Sequence, residues 1–404
     1  MTIGTRNFLP HQIVLGFLVV VALVCTSIFP KQLFATDVEV LSTFGTNNVA
    51  ITEQFAYAAA GPQGIVIVNL NTLTIAGVVA PPAGSGRVDD VSIDGDLLFL
   101  MDGGAGRLSV LSIENPIMPT VVSSPVFVNV SPFAGVSAAN GRVAVSGGTG
   151  LMSVRSYDSD GVLTGPVSTI DLGIGQPDVL VSDDGETAFV STDFAGFVDG
   201  QSFGITVVDI SGAPLSILDR VGIAGAGFST GTDGPANFPI ESAIQGDTLF
   251  VASGNGVSVF DVSNPNSLVT ITQIPLGTNP INVDVFDDTL YVAGNAPGTM
   301  TVIDVTDVSS PVVETFGLPA GAGPLGVASN GTHLVIADEF LGVLVDVLFV
   351  PGDVNRDGLV NLLDVGPFVD VLSTGEFQAE ADLDQSGAVN LLDVQPFVDL
   401  LAGG

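Results

Sequence analysis

The chain has 404 residues, with 43 acidic against 8 basic side chains and a formal net charge of −35 at pH 7. A surface this acidic repels phosphate backbones, which excludes nucleic acid as a partner, and it attracts divalent cations. Apolar residues make up 46%, and 50 Gly and 24 Pro accompany only 13% charged residues, so a large core of short strands and many turns is expected, not long solvated helices or disorder.

Residues 1–35 read as an export signal, with Arg6 at its positive end and an uncharged apolar run from Ile13 to Phe29. Ala35 would precede the cut. Leu33, however, is larger than signal peptidase prefers at that place, so an uncleaved membrane anchor is the alternative. Val24 before Cys25 argues against lipid attachment, because lipoproteins need a small residue there. The expected location is extracellular, secreted or attached to the cell surface, and a membrane contact arises only if the segment stays uncut. Cleavage would remove Cys25 and Lys31, the only cysteine and the only lysine, leaving core size and bound ions to stabilise the exported chain.

Residues 36–350 repeat one pattern: a short strand, a Gly-rich turn, then an apolar strand ending near Asp and Pro. Copies run from Phe55, Leu97, Arg142, Thr187, Thr248, Thr289 and His333. Taking Tyr57, Phe99, Val143, Phe189, Phe250, Tyr291 and Val335 as equivalent, the steps are 42, 44, 46, 61, 41 and 44 residues. A period near forty with strand-type alternation is the mark of a propeller blade, which buries both faces only within a closed ring. Seven copies predict an all-β, seven-bladed β-propeller; an array of β-sandwiches would not explain so regular a spacing. The segments ITVVDISGAP, VSVFDVSNP and TVIDVTDVSSP resemble the LVIVD-type and YVTN-type repeat propellers. With no Trp in the chain, the WD40 signature is missing.

The last copy ends without an outer strand, while Val38–Phe44 (VEVLSTF) resembles Val312–Phe316 (VVETF). The N-terminal segment is therefore expected to complete blade seven and remove an open edge. Two segments break the spacing: Phe194–Phe203 inside blade four, and Gly222–Phe238 between blades four and five. Both carry Phe (Phe194, Phe197, Phe203, Phe228, Phe238), and both connections leave a propeller on the same face. They read either as the lip of a binding site for an extracellular glycan or protein, or as tolerated loop growth.

After Pro351 the texture changes, and residues 351–404 form a separate unit. Two twelve-residue loops start at Asp353 and Asp382, 29 residues apart. Ligand positions fall on Asp353, Asn355, Asp357, Leu359, Asn361 and Asp364 in the first loop. In the second they fall on Asp382, Asp384, Ser386, Ala388, Asn390 and Asp393. Leu359 and Ala388 offer backbone carbonyls, and Gly358 and Gly387 allow the sharp turn. Hard oxygen ligands in that number point to two Ca²⁺ ions. Position twelve is Asp instead of the usual Glu, and Ser386 replaces a carboxylate in the second loop. An apolar stripe follows each loop: Val365, Phe368, Val369 and Leu372, then Val394, Phe397, Val398 and Leu401. This spacing defines one helix face each, with Pro367 and Pro396 expected to bend or restart the helix. Gly352–Leu372 and Ala381–Leu401 share 13 identities in 21 positions, so the unit is a duplication.

The runs GDVNRDGLVNLLDV and ADLDQSGAVNLLDV resemble a type I dockerin. The resemblance implies calcium-dependent docking to a cohesin-like module or cell-surface scaffold, read at loop positions ten and eleven. Those places are often a hydroxyl pair in the family; here they hold Leu362-Leu363 and Leu391-Leu392, expected either in a core or on an apolar docking surface.

Enzyme signatures are scarce. His333 is the only histidine beyond the export segment, expected at a turn edge, so a His-based triad is excluded. Paired carboxylates for glycoside hydrolysis stay open, although only Tyr57, Tyr157 and Tyr291 could serve as stacking platforms. The reading is an exported, non-enzymatic interaction protein: a propeller face carried by a calcium-dependent dockerin-like tail. The alternative is a carbohydrate-active or other hydrolytic enzyme on the same tail. Converging carboxylates with an aromatic wall in the central channel would favour the enzyme.

Overall fold

The computed structural model describes residues 39–41, 44–128, 134–173, 178–198, 201–223, 241–253, 256–276, 280–294, 298–348, 351–355, 360–374, 378–384 and 388–403. Residues 1–35, read above as an export signal, lie outside them. Among them, no helix is long and apolar enough to cross a membrane.

Seven four-stranded antiparallel sheets follow one another along the chain, as the period predicts. Their inner strands are Val49–Ile51, Asp90–Asp94, Ala134–Ala139, Asp178–Val181, Ser242–Gln245, Pro280–Phe286 and Pro324–Ser329. The strand beside each inner one is nearly all apolar and buried, as in Phe55–Ala59, Leu97–Asp102 and His333–Asp338. It reads this way because neighbouring blades cover both of its faces. Outer strands such as Thr74–Val79 and Val312–Gly317 face solvent on one side and alternate accordingly. The propeller's apolar clusters each draw residues from adjacent blades; one joins Ala56, Val66 and Val68 of blade one to Val335, Val343 and Val345 of blade seven, so the ring is continuous.

That seam is closed by the N-terminal strand Glu39–Val40, paired antiparallel with Gly342–Val347 through Glu39 opposite Val345 and Val40 opposite Leu344. The buried Thr46 hydroxyl donates to the Gly342 carbonyl at 2.7 Å and accepts the Asp338 N–H at 3.0 Å. Asn330 donates to the Thr52 carbonyl at 3.0 Å. His333 starts its strand, as expected, but is buried and not merely at a turn edge. Its imidazole meets Thr332 Oγ1 at 2.9 Å and donates to the Leu70 carbonyl of blade one.

The recurrent Asp after the third strand has a structural explanation. Asp209, Asp261 and Asp304 each accept the backbone N–H two residues on, at 2.9 Å, closing an Asx-turn into the outer strand. The serine hydroxyls two residues on, with their N–H groups, hold Asp209 and Asp261 below the usual carboxylate range.

In the C-terminal part, helices span Val365–Thr374 and Val394–Gly403. Phe368 and Phe397 are buried and stacked face to face, ring centroids 4.2 Å apart with planes 8° from parallel. The rest of the expected stripe is split: Leu372, Val394 and Leu401 pack against this pair, whereas Val365, Val369 and Val398 are exposed. A helix pair this short buries a single ring-on-ring contact, too narrow to cover the whole face. The prolines do not bend the helices. Each stands in the first turn, where its missing N–H has no intrahelical partner to lose.

Candidate functional site

The ring brings seven equivalent positions to the channel axis, at the start of each inner strand. They are Asn48, Asp90, Val136, Asp178, Glu241, Asn282 and Gly326, each opposite the same place on the second strand. Five of the seven are polar. Gly326 is required here, since a Cβ would lie 2.9 Å from both the Cα and Oδ1 of Asn48. Asn48, Asp90, Val136, Asp178 and Glu241, with the layer below, line a central cavity of about 280 Å³.

The polar groups form one network. Asn48 Nδ2 donates to Asp90 Oδ1 and, across the channel, to Glu241 Oε1 at 3.0 Å. Asn282 Nδ2 donates to Glu241 Oε2. Adjacent blades are stitched by side chains that accept the next strand's N–H: Asp90 from Val136 at 2.6 Å, Ser137 from Val181 at 2.9 Å, and Asp284 from Ser329 at 2.6 Å. Burial raises the carboxyls here, Asp90 to about 6 and Asp284 to about 7. Asp178 and Glu241 rise well above the ordinary range through burial and mutual repulsion. Glu241 keeps part of its surface open, and it lines the channel cavity.

Propeller topology sends the connection from strand two to strand three, and that from each blade to the next, to the face where the inner strands begin. Both long segments therefore leave on the mouth that holds the polar ring, and Glu241 ends the second. The first is an extension of the hairpin itself: strands Thr187–Val198 and Gln201–Asp209 pair out to Val198 opposite Gln201. Phe203 is fully buried, which corrects its reading as part of a binding lip. The side chains of Phe194 and Phe197, and residues 224–240 with Phe228 and Phe238, lie outside what the structure describes.

The opposite face carries a cavity of about 610 Å³ between blades two and three, lined by Asp94, Asp96, Glu114, Tyr157, Asp158 and Asp160. Tyr157 donates to Asp94. All three tyrosines are buried and Tyr57 and Tyr291 completely so, which removes them as stacking platforms.

In the C-terminal module, ligand oxygens of Asp382, Asp384 and Asp393 all lie within 4.8 Å of one another. Asp393 is fully buried and accepts from the N–H groups of Asp384 at 2.9 Å and Asn390 at 2.7 Å. The first loop repeats this design: buried Asp364 accepts from Asn355 at 3.0 Å and Asn361 at 2.8 Å, with Asp353 buried nearby. Ala388 lies within the second loop as described, whereas Asp357, Leu359 and Ser386 fall outside the described residues. The donor set suits a hard cation: carboxylates converge on one point with no basic partner in the group. Of the two alternatives for the leucine pairs, the structure selects exposure: Leu362 is 80%, Leu363 68%, Leu391 79% and Leu392 69% accessible.

The channel ring was not legible as a site in the sequence, where its members stand about forty residues apart. The signal was there in the repeat: at this equivalent position, near the start of each inner strand, five copies carry Asn, Asp or Glu.

Comparison with known proteins agrees with the architecture. The LVIVD repeat family matches residues 45–70 and 242–274, in blades one and five. A search of curated proteins finds no match. Among solved structures, a virginiamycin B lyase from Staphylococcus aureus with quinupristin superposes with a TM-score of 0.58 at 12% identity, covering 78% of this chain and 99% of that one. Hydrazine synthase from Kuenenia stuttgartiensis gives 0.56 at 13%, covering 77% and 98%. A protein of unknown function from Desulfotomaculum acetoxidans gives 0.51 at 19%, covering 69% and 87%. Identities this low speak for fold alone: the chain is a seven-bladed β-propeller with LVIVD repeats, followed by two short helices.

Proposed function

We propose that this is an exported, non-enzymatic interaction protein whose propeller presents a binding face and whose tail docks, with two bound Ca²⁺ ions, on a cohesin-like module. The observation that carries the reading is the pair of leucine doublets. Each stands exposed at the position from which dockerin-type loops contact their partner, the second beside a loop whose carboxylates converge. Four open leucines are costly in water unless another protein covers them; burying each one contributes about 1.5–3 kcal/mol. The Asp382, Asp384 and Asp393 cluster supports a hard cation that would hold the loop in shape.

The test is binding of the full chain to a panel of cohesin modules, with calcium and with chelator. Replacing Leu362, Leu363, Leu391 and Leu392 by Ser should abolish capture and leave calcium uptake unchanged. Equal capture by the variant, or capture that survives chelation, overturns the docking reading.

The channel gives a second reading, a hydrolase using Asp178 and Glu241, because carboxylates do converge there. The aromatic wall that such a site needs for a sugar ring is missing among the residues lining the cavity. A polysaccharide hydrolysis screen in which Glu241→Gln removes activity would establish the enzyme instead.

A further inference from the structure

We propose that the ring is bolted across its channel by a carboxyl cluster that holds protons, so that folding takes up protons and the ring loosens as its surroundings turn alkaline. Asp90, Asp178 and Glu241 come from blades two, four and five, and none can move away without its strand. Glu241 spans the channel to Asn48, 193 residues away in sequence, and meets Asn282 of blade six on its other oxygen. Thus one side chain links three blades, and Asn48 extends the link to a fourth through Asp90.

The charges around this network explain why a proton must stay. Blade one presents Asn48 and Ala50; blade three Val136 and Ser137; blade seven Gly326 and Ala328, all neutral. Blade six presents Asn282 and, one layer down, the carboxyl of Asp284, with Asp287 further out near Tyr291, where Asp346 of blade seven also acts. Beside Asp90 stands Asp89, which engages Arg87 at 2.5 Å. Arg87 is thus already paired with Asp89, outside the cluster itself. Three like charges gathered around one cavity and largely withdrawn from bulk water repel strongly, and neutralising one by a proton is the least costly relief.

The sign follows from linkage. Carboxyls raised by folding hold protons that the unfolded chain releases, so the stability they confer is complete below about pH 4 and declines as pH climbs through the raised values. His333 acts in the opposite direction: burial lowers it, so its contribution declines below about pH 6.5 and cannot mimic the cluster.

The experiment is calorimetric unfolding of the full chain at fixed calcium, from pH 5 to pH 9, in two buffers of different ionisation enthalpy. The expected result is release of at least one proton per molecule on unfolding at pH 7, and a melting temperature several degrees lower at pH 8 than at pH 5. Glu241→Gln with Asp178→Asn should flatten that slope and melt above the parent at pH 8. Removing two exposed charges, Asp183→Asn with Asp247→Asn, should leave the parental slope in place, which separates the bolt from the general acidity of the chain. Unfolding at pH 7 without proton release, or a double channel variant with the parental slope, overturns the proposal. If the channel variant fails to fold, the proton count on the parent decides alone.

Discussion

The propeller and the C-terminal module both carry dense carboxylates, and they treat them in opposite ways. In the blades a carboxylate is matched to donors that the fold itself supplies. Asp338 accepts the N–H groups of Phe340, Leu341 and Gly323 at 2.9, 2.8 and 2.7 Å, and Asp102 accepts those of Ala105 and Gly86 at 2.9 and 2.8 Å. These two hold equivalent turns in blades seven and two. In the module, Asp393 also accepts two N–H groups, yet it shares its neighbourhood with Asp382 and Asp384. A carboxylate matched by N–H donors is finished; carboxylates aimed at one another need a proton, as proposed for the channel, or a cation to relieve them. On the proposed reading, the blades carry their own stability and the module draws part of its stability from an ion.

Calcium removal should separate the two most widely. Chelator added to the full chain is expected to expose the amides of residues 351–403 to complete hydrogen exchange while the blades keep their protection. A module that stays protected would erase the contrast. Next in size is Asp338→Ala, which strands three buried or half-buried N–H groups and should cost roughly 3 kcal/mol in denaturant unfolding. A loss below 0.5 kcal/mol, on the order of a neutral surface change, would show that the blades do not depend on such caps.

Between these local effects lies the seam. His333 is neutral in the folded ring, and the unfolded chain takes up its proton below about pH 6.5. Lowering the pH from 7 to 5 should therefore remove stability that His333→Gln does not lose. Parallel pH profiles for parent and variant would remove His333 from the account. The smallest effect is expected at the exposed Asx-turns. Asp261→Ala should shift the melting temperature less than the histidine does, and only above the ordinary carboxylate range. There Asp261 is ionised and held low by Ser263. A shift that persists at pH 2 would mean the side chain acts by packing instead.

The blades were legible because a repeat states the same local rule seven times: apolar strand, turn, apolar strand. Even ring closure could be read, since VEVLSTF is a plain outer strand lacking its blade. The two C-terminal helices were equally plain, their stripes being contiguous and duplicated. What escaped was anything made by residues meeting from afar. Glu241 looks like one more acidic residue after a long link until closure sets it opposite Asn48. The leucine doublets were ambiguous because exposed and buried leucines have the same sequence appearance; two short helices simply lack the area to cover them. Phe203 failed as a lip residue because the long hairpin continues blade four's own pairing, which turns that ring into the core.

The closing strand has a mechanical consequence. Glu39 lies opposite Val345 and Val40 opposite Leu344, so the start of the strand and the exit toward the tail sit at the same end of one antiparallel pair. Tension between the chain preceding residue 39 and a docked tail would open that pair like a zipper, one bond after another, instead of shearing all of them at once. Anchorage at both ends would make blade seven the weakest part of the ring under load. Anchorage through the tail alone leaves the zipper without a second hand to pull it.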